Sequence, residues 1–460
     1  MARFSRTAIL SLLVVLLAAA GPARAQTFEE ALVQVWQTSP VLDAARTRLK
    51  AVDEQAPQAL SGYRPLIDAT GDIGKSHVDR EEGGSDTLTP ASVALTVTQP
   101  LYRGGRTVSS VSRAENQIMA QRASLLSTEQ DVLLSGVTAW MDVVRDQAVV
   151  SLNVSNEQVL RRQYGADRDR FEVGVATRTD VSQAQSRLAR ATSDRIAVEG
   201  ILEASRATFM RVFGLSPGEL KKPEVRLPLP SSLDEAITLA QDRNPAVVSA
   251  VYTERASHNT VDTVRGELLP EASLQGRLGR DWDSGSGSTS DQVDSATILA
   301  QVRIPLYEAG SVTSRVREAK HTANQRRIEI EDLRRTAREN AIRAWTALTT
   351  AQAELKSRQA QIRAASTALE GTREESKVGT RTTLDVLDAE QEVLNARVAL
   401  VQAQRNEVVA SYQLLAAVGG LTAQNLGLPV TPYDPEAHYR EVRDAWWGTG
   451  VEEYDDRKDP

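Results

Sequence analysis

Residues 378–390 read VGTRTTLDVLDAE and residues 173–185 read VGVATRTDVSQAQ. Each stretch interrupts a long run of good helix formers, so each reads as the turn of a helical hairpin. Val-Gly supplies a break that tolerates the left-handed backbone. Thr177-x-x-Asp180 and Thr382-x-x-Asp385 then have the spacing of a capping box for the returning helix, with Asp in place of Glu. The two stretches lie 205 residues apart, and that offset organises the whole chain.

At the same spacing Glu30-Ala31 falls on Glu235-Ala236, Pro40 on Pro245, Pro65 on Pro270, and Gly71 and Gly74 on Gly276 and Gly279. Pro100-Leu101-Tyr102 falls on Pro305-Leu306-Tyr307, Gly105 on Gly310, Trp140 on Trp345 and Gly214 on Gly419. Chance does not place a Trp and so many Gly and Pro on one unbroken offset, so the chain contains a duplicated unit. The expected boundaries are 26–220 for the first unit, 221–231 for a Pro-rich linker, 232–425 for the second unit, and 426–460 for a C-terminal segment. With the linker, that last segment is expected to form a belt that ends in a charged tail.

Each unit repeats one order of elements. A modest helix comes first, opened in the second unit by the capping-box spacing of Ser232 and Glu235. A strand pair follows, expected at about 66–76 and 92–102, then at 271–281 and 295–306. Ile67, Ala69, Gly71 and Ile73 alternate with Asp68, Thr70 and Asp72, while Val93, Leu95 and Val97 alternate with Ala94, Thr96 and Thr98. Leu274, Gly276 and Leu278 alternate with Ser273, Gln275 and Arg277, and Ile298, Ala300, Val302 and Ile304 with Leu299, Gln301 and Arg303. The connections HVDREEGGSDTLTPA and DSGSGSTSDQVDS read as polar loops; SGSGSTS has neither the strand-loop-helix context nor the Lys of a phosphate cradle.

Beyond the strands, no Pro occurs from Leu101 to Ser216 or from Leu306 to Leu428. Leu126, Leu133, Val137, Trp140 and Val144 step by seven, four, three and four, and Leu348, Leu355, Ile362 and Leu369 by seven, which is coiled-coil spacing. A helix from Arg106 to Val173 would be ~100 Å long at ~1.5 Å per residue. It is expected to break at Gly174 and return from about Thr179 to Phe213.

Composition narrows the function. Arg3 and Arg6, an apolar run from Ala8 to Ala20, and Ala23-Arg24-Ala25 have the pattern of a secretory signal peptide cleaved after Ala25. The run is too short for a membrane anchor, which needs ~20 residues. Removing three arginines and no acid takes the net charge from −7 to −10. Without Cys there are no disulfides, thiolate metal sites or Cys nucleophiles. The acidic balance disfavours nucleic acid. His77, His258, His321 and His438 are scattered and fit no metal-ligand spacing, and no catalytic motif or cofactor-binding signature is present. The expectation is therefore no enzyme, no cofactor and no metal.

Strands of ~9–11 residues are long enough to cross a membrane when tilted. Four of them cannot sit in lipid as an open sheet, because every backbone group there needs a partner. A barrel closed by several chains answers this, with a polar lumen and an apolar outer face. A soluble sandwich with helical insertions shares the alternation but leaves the long helices without a partner. A periplasmic coiled-coil adaptor shares the hairpins but lacks the duplicated strand pairs.

The chain resembles the TolC-type outer-membrane efflux proteins over nearly the whole mature length. The resemblance is most specific at Val378–Ala389, at Phe171–Val181 and at the two Pro-Leu-Tyr-x-x-Gly turns. It implies a mainly α fold with a membrane β-barrel: a homotrimer, a twelve-stranded barrel contributed four strands per chain and contacting outer-membrane lipid, and a periplasmic tunnel of helical hairpins. It also implies partners, a periplasmic membrane-fusion adaptor and an inner-membrane pump of RND or ABC type, feeding drugs, small molecules or secreted proteins.

Carried over residue by residue, the resemblance makes Arg381 the tether of a closed entrance and Asp180 its partner from the other hairpin. Asp385 and Asp388, three apart on one helix face, become constriction acids; three copies would gather six carboxylates, some with raised pKa values. Val173, Gly174, Thr177, Val378, Gly379 and Thr382 would dock the adaptor. One departure stands out: relatives often carry a Tyr just before the second Val-Gly, where this chain has Ser376, which shifts weight onto Arg381. Capping by itself remains an alternative account of Asp180 and Asp385. Trp446-Trp447 is expected to dock on the belt.

Overall fold

The computed structural model describes residues 27–80, 84–224, 226–282 and 292–451. The expected signal peptide, the SGSGSTS run and the charged end of the tail lie outside the described residues.

The first helices are α1 (Phe28–Thr38), α2 (Pro40–Asp53) and α3 (Gln55–Leu60), followed by a 3-10 turn, Ser61–Tyr63. Thr27 and Glu30 close a capping box on α1. The single helix expected here is broken at Ser39, because Pro40 lacks the N–H that would continue the ladder and instead begins a new helix. The second repeat breaks at the same place: α6 (Leu233–Arg243) stops and Asn244 caps α7 (Pro245–Arg265), with its side chain accepting from Ala246 N–H at 3.0 Å.

Four strands, β1 (Leu66–Ile73), β4 (Ala91–Arg103), β5 (Glu271–Trp282) and β6 (Gln292–Arg303), form one antiparallel sheet in the order β1-β4-β5-β6. Between β1 and β4 the polar connection is not a plain loop. It forms a separate two-stranded hairpin, β2 (Ser76–Arg80) with β3 (Gly84–Leu88). Their sequences, SHVDR and GSDTL, hold no run of alternating apolar residues, so alternation did not mark them.

The long helices are α4 (Arg106–Glu172) and α5 (Arg178–Phe213), then α8 (Ser311–Lys377) and α9 (Thr383–Ala417), with a short α10 (Ala437–Val442) near the end. Both hairpins are present, and α4 and α8 have 67 residues each. The seam expected on α4 holds at Leu133, Val137 and Trp140, all buried, but Leu126 is 44% exposed and Leu125 is buried in its place. A straight helix drifts ~20° per heptad, so a strict seven-residue step leaves the packed face.

The chain divides into two compact units. One holds Thr128–Ala240 and Arg338–Pro432 with the chain up to Asp43. Its core collects aromatics: Phe28 meets Trp140 edge-on at 5.5 Å and Tyr412 at 6.0 Å, and Phe209 stacks on Phe213 at 4.1 Å. Trp140 is 1% exposed and donates its indole N–H to Lys221 O at 3.0 Å, which satisfies the one polar atom that burial would strand. The other unit holds Ala44–Ser127, Gln241–Ala337 and the chain from Tyr433, and contains the sheet.

Candidate functional site

Both hairpin tips are built by the same backbone bonds. Val175 N–H donates to Arg170 O at 2.8 Å and Gly174 N–H to Phe171 O at 3.0 Å. In the second copy, Thr380 N–H donates to Glu375 O at 3.0 Å and Gly379 N–H to Ser376 O at 3.1 Å. This pair of bonds is the Schellman ending of a helix, and it needs a left-handed residue, supplied by Gly174 (φ +78) and Gly379 (φ +80).

The returning helices start on complete capping boxes. Asp180 N–H donates to Thr177 Oγ1 at 3.2 Å, while Thr177 N–H and its hydroxyl donate to Asp180 Oδ2 at 3.0 and 2.8 Å. Thr382 and Asp385 repeat this at 3.2, 2.9 and 2.8 Å. Hydrogen bonds from Thr177 hold the Asp180 carboxyl below the usual carboxylate range, and those from Thr382, helped by Arg381, do the same for Asp385. Within one chain the Asp385 pKa is thus lowered. Asp180 and Asp385 are therefore structural caps within the chain.

Arg381 turns back on its own tip and donates through Nε to Glu375 at 2.8 Å, and no bond joins it to Asp180 within the chain. Asp388 instead accepts from Arg187 Nη2 at 2.5 Å, linking α9 to α5. Beside it Leu387, 2% exposed, packs against Leu160, Leu188 and Ala191 of the first hairpin. Arg373 and Glu390, 2.7 Å apart, tie the two arms of the second hairpin.

In the first hairpin, Glu157 collects Arg195 at 2.6 Å, Arg161 at 2.8 Å and the Thr192 hydroxyl at 3.0 Å. Burial pushes its carboxyl up, but these partners outweigh it and hold the pKa below the usual range. Asp167 is 1% exposed; burial raises its pKa against hydrogen bonds from Gln163 and the charge of Arg170, and nearby Asp180 adds to the rise. The outermost tip residues are apolar and open: Val173, Val175 and Val378 are 74%, 77% and 75% exposed.

In the compact unit that holds the sheet, the register gathers most apolar residues of the four strands on one face, with Leu66, Val293 and Leu299 on the other and the Arg280–Asp294 ion pair, 2.6 Å apart, on the apolar side. Ile67, Val97, Gly276 and Ile298 form one row across the strands, and Ala69, Leu95, Leu278 and Ala296 the next. The opposite face carries Asp68, Thr96, Arg277 and Thr297, then Thr70, Ala94, Gly279 and Ser295. Nothing among the described residues covers the apolar face: Ile67, Leu278 and Ile298 are 62%, 60% and 82% exposed. Aromatics close it at both ends, Tyr102 opposite Ala272 and Trp282 opposite Ala91. From Ala272 to Trp282, β5 covers about 33 Å at ~3.3 Å per residue, or about 25 Å of height at the usual strand tilt of ~40°. That matches the apolar band of a transmembrane barrel with its aromatic girdles. No described helix is long and apolar enough to cross a membrane.

The family model described as "Outer membrane efflux protein" matches residues 31–215 and again 236–420, once on each repeat. The chain belongs to the outer membrane efflux protein family. It is 34% identical over 426 residues to the outer membrane efflux protein BepC of Brucella suis biovar 1, covering 93% of this chain and 92% of that one. It is 24% identical over 410 residues to the outer membrane protein TolC of Vibrio cholerae serotype O1, covering 87% and 92%. Among solved structures, the Campylobacter jejuni CmeC outer membrane channel superposes with a TM-score of 0.77 at 16% identity, over 91% of this chain and 89% of that one. Membership of this efflux family makes the protein an outer-membrane export channel, a transport protein in class, and it explains an exposed apolar sheet face in a chain of mean hydropathy −0.33.

Sequence reasoning passed over Arg187, Glu375 and Asp167. A signal existed for the first: Gln183 is the repeat counterpart of Asp388, and Arg187 stands one helical turn beyond it. Glu375 has Arg170 as its counterpart, so the second tip carries an acid where the first carries a base.

Proposed function

We propose that three copies of this efflux-family chain close their sheets into a twelve-stranded outer-membrane barrel. Their hairpins wall a periplasmic passage entered at the tips. The observation that carries this reading is the sheet: four strands with one exposed apolar face, one polar face, and β1 and β6 as edges to which no described strand is paired. A closed barrel of three such sheets satisfies every edge and turns the polar face inward.

The entrance is gated at 378–390, with Asp385 and Asp388 of three copies forming a cation-attracting ring and Arg381 restraining the closed state. The exposed valines of the tips offer an apolar docking surface to a periplasmic adaptor, and an inner-membrane pump supplies the cargo. The protein transports cargo and performs no chemistry on it.

Planar-bilayer recording tests this. Purified protein should give small cation-selective openings, and Asp385→Ala with Asp388→Ala should weaken the cation preference measured by reversal potential. Selectivity unchanged in that variant would remove the carboxylates from the constriction.

A further inference from the structure

The described C-terminal segment runs along the helices of its unit toward the root of the sheet. Tyr433 lies under the Arg46 guanidinium at 5.2 Å, His438 meets Asp53 at 3.4 Å, and Glu436 pairs with Arg122 at 2.8 Å. Farther on, Arg64 lies over the Trp446 ring at 4.9 Å and donates through Nη1 to Ala445 O at 2.5 Å. Contacts thus step from residue 46 to 53 to 64 as the segment advances from 433 to 446. Arg64 is two residues before β1 begins. Trp446-Trp447 is therefore placed at the strand roots.

The turn that carries Arg64 reaches toward the apolar side of the sheet. Gln99, which shares the face of Val97 and Leu95, donates to Tyr63 O at 2.9 Å, drawing the Ser61–Arg64 turn toward that face. Around it stand Tyr63 at 51%, Leu101 at 62% and Tyr102 at 50% exposure. Trp446 is 58% exposed and Trp447 90%, whereas Trp36 and Trp140 are buried. Two adjacent indoles left open beside an uncovered apolar face need a medium that accepts both their rings and their N–H groups. The headgroup layer of a bilayer does so, and Trp is enriched there.

We propose that Trp446 and Trp447 are an interfacial anchor that seats the C-terminal strap in the headgroup layer of the periplasmic leaflet of the outer membrane, the partner being a phospholipid surface. This rests on the reading of the apolar sheet face as lipid-facing. The anchor continues that face beyond Tyr102 and adds a cation, Arg64, suited to a lipid phosphate.

Tryptophan quenching tests it with full-length protein in phospholipid vesicles brominated either near the headgroup end of the acyl chains or near their termini. Subtracting the emission of W446F/W447F from wild type isolates the strap, and subtracting W282F isolates the sheet. The strap emission should be lost with shallow bromines, less so with deep ones, and should resist acrylamide. Quenching by acrylamide but not by bromines would place the strap in water, and quenching by neither would place it against another copy; either result overturns the anchor. Trp282 separates the two readings. If it is quenched by bromines while the strap is not, only the anchor fails; if neither is, the lipid-facing sheet fails with it.

Discussion

Arg187 and Asp388 meet at 2.5 Å and join the returning helices of the two hairpins within one chain. The contact sits beside Leu387, whose side chain is enclosed by Leu160, Leu188 and Ala191. The acid that the family resemblance places at a constriction is thus also a fastener between α5 and α9.

The ion pair and the leucine should contribute very differently. Asp388 is 58% exposed at its side chain, and exposed pairs are worth ~0.2–1 kcal/mol. Truncating a buried Leu costs ~2–5 kcal/mol. Leu387→Ala should therefore lower hydrogen-exchange protection across α5 and α9 near the tips far more than Arg187→Ala does. In bilayers, Arg187→Ala should nonetheless raise the open probability. Equal protection losses in the two variants would show that the ion pair, not the packing, holds the hairpins together.

The capping boxes give a pH signature. The Asp180 and Asp385 pKa values are lowered on folding, so their contribution is present above the unfolded value of ~3.9 and is lost as pH falls through the folded value. Amides at the starts of α5 and α9 should lose protection below about pH 4. Thr177→Ala should remove about 1 kcal/mol of local stability at neutral pH. The comparison is hydrogen exchange at residues 178–181, wild type against variant. A variant indistinguishable at neutral pH would remove the cap.

Arg381 donates to Glu375 at 2.8 Å in this structure. Arg381→Ser should make the channel leaky, Glu375→Gln should do the same, and the double variant should be no leakier than either single one. Single-channel conductance decides. An additive double variant would mean that Arg381 finds its operative partner elsewhere, Asp180 of a neighbouring hairpin being the first candidate.

Asp167 works in the opposite direction from the caps. Its pKa is raised, so its charge opposes folding above the folded value and that cost is relieved as pH falls through it. Asp167→Asn should leave the hairpin as stable as wild type or more so at neutral pH, the difference shrinking on acidification. Thermal unfolding across pH reads this directly, and a variant that loses stability at neutral pH and keeps the deficit in acid would reverse the assignment.

Much of the architecture was visible as one-dimensional pattern. The 205-residue offset located both hairpins, Val-Gly located both turns, and the alternation of Ile67 to Ile73 and Val93 to Val97 located strands whose register then placed those apolar residues on a shared face. What stayed hidden depended on geometry between segments. The β2–β3 hairpin has no hydrophobic alternation to betray it. The rotation of α9 against α5, which decides that Asp388 meets Arg187, is not encoded in the spacing of either helix alone. Arg381 was assigned across hairpins because its motif pointed there, while the nearer Glu375 lies across a turn that no helical periodicity bridges.

The two edges of the sheet set a condition on how the protein reaches its place. All eight residues of β1 and all twelve of β6 are exposed, and each outer edge presents a row of backbone donors and acceptors to the surroundings. Hydrocarbon cannot satisfy those groups and water can. For the three-copy barrel proposed above, a lone copy would remain in the aqueous phase until others arrive, and burial in lipid and association of copies would be a single event. Its rate should depend steeply on the local concentration of newly exported chains.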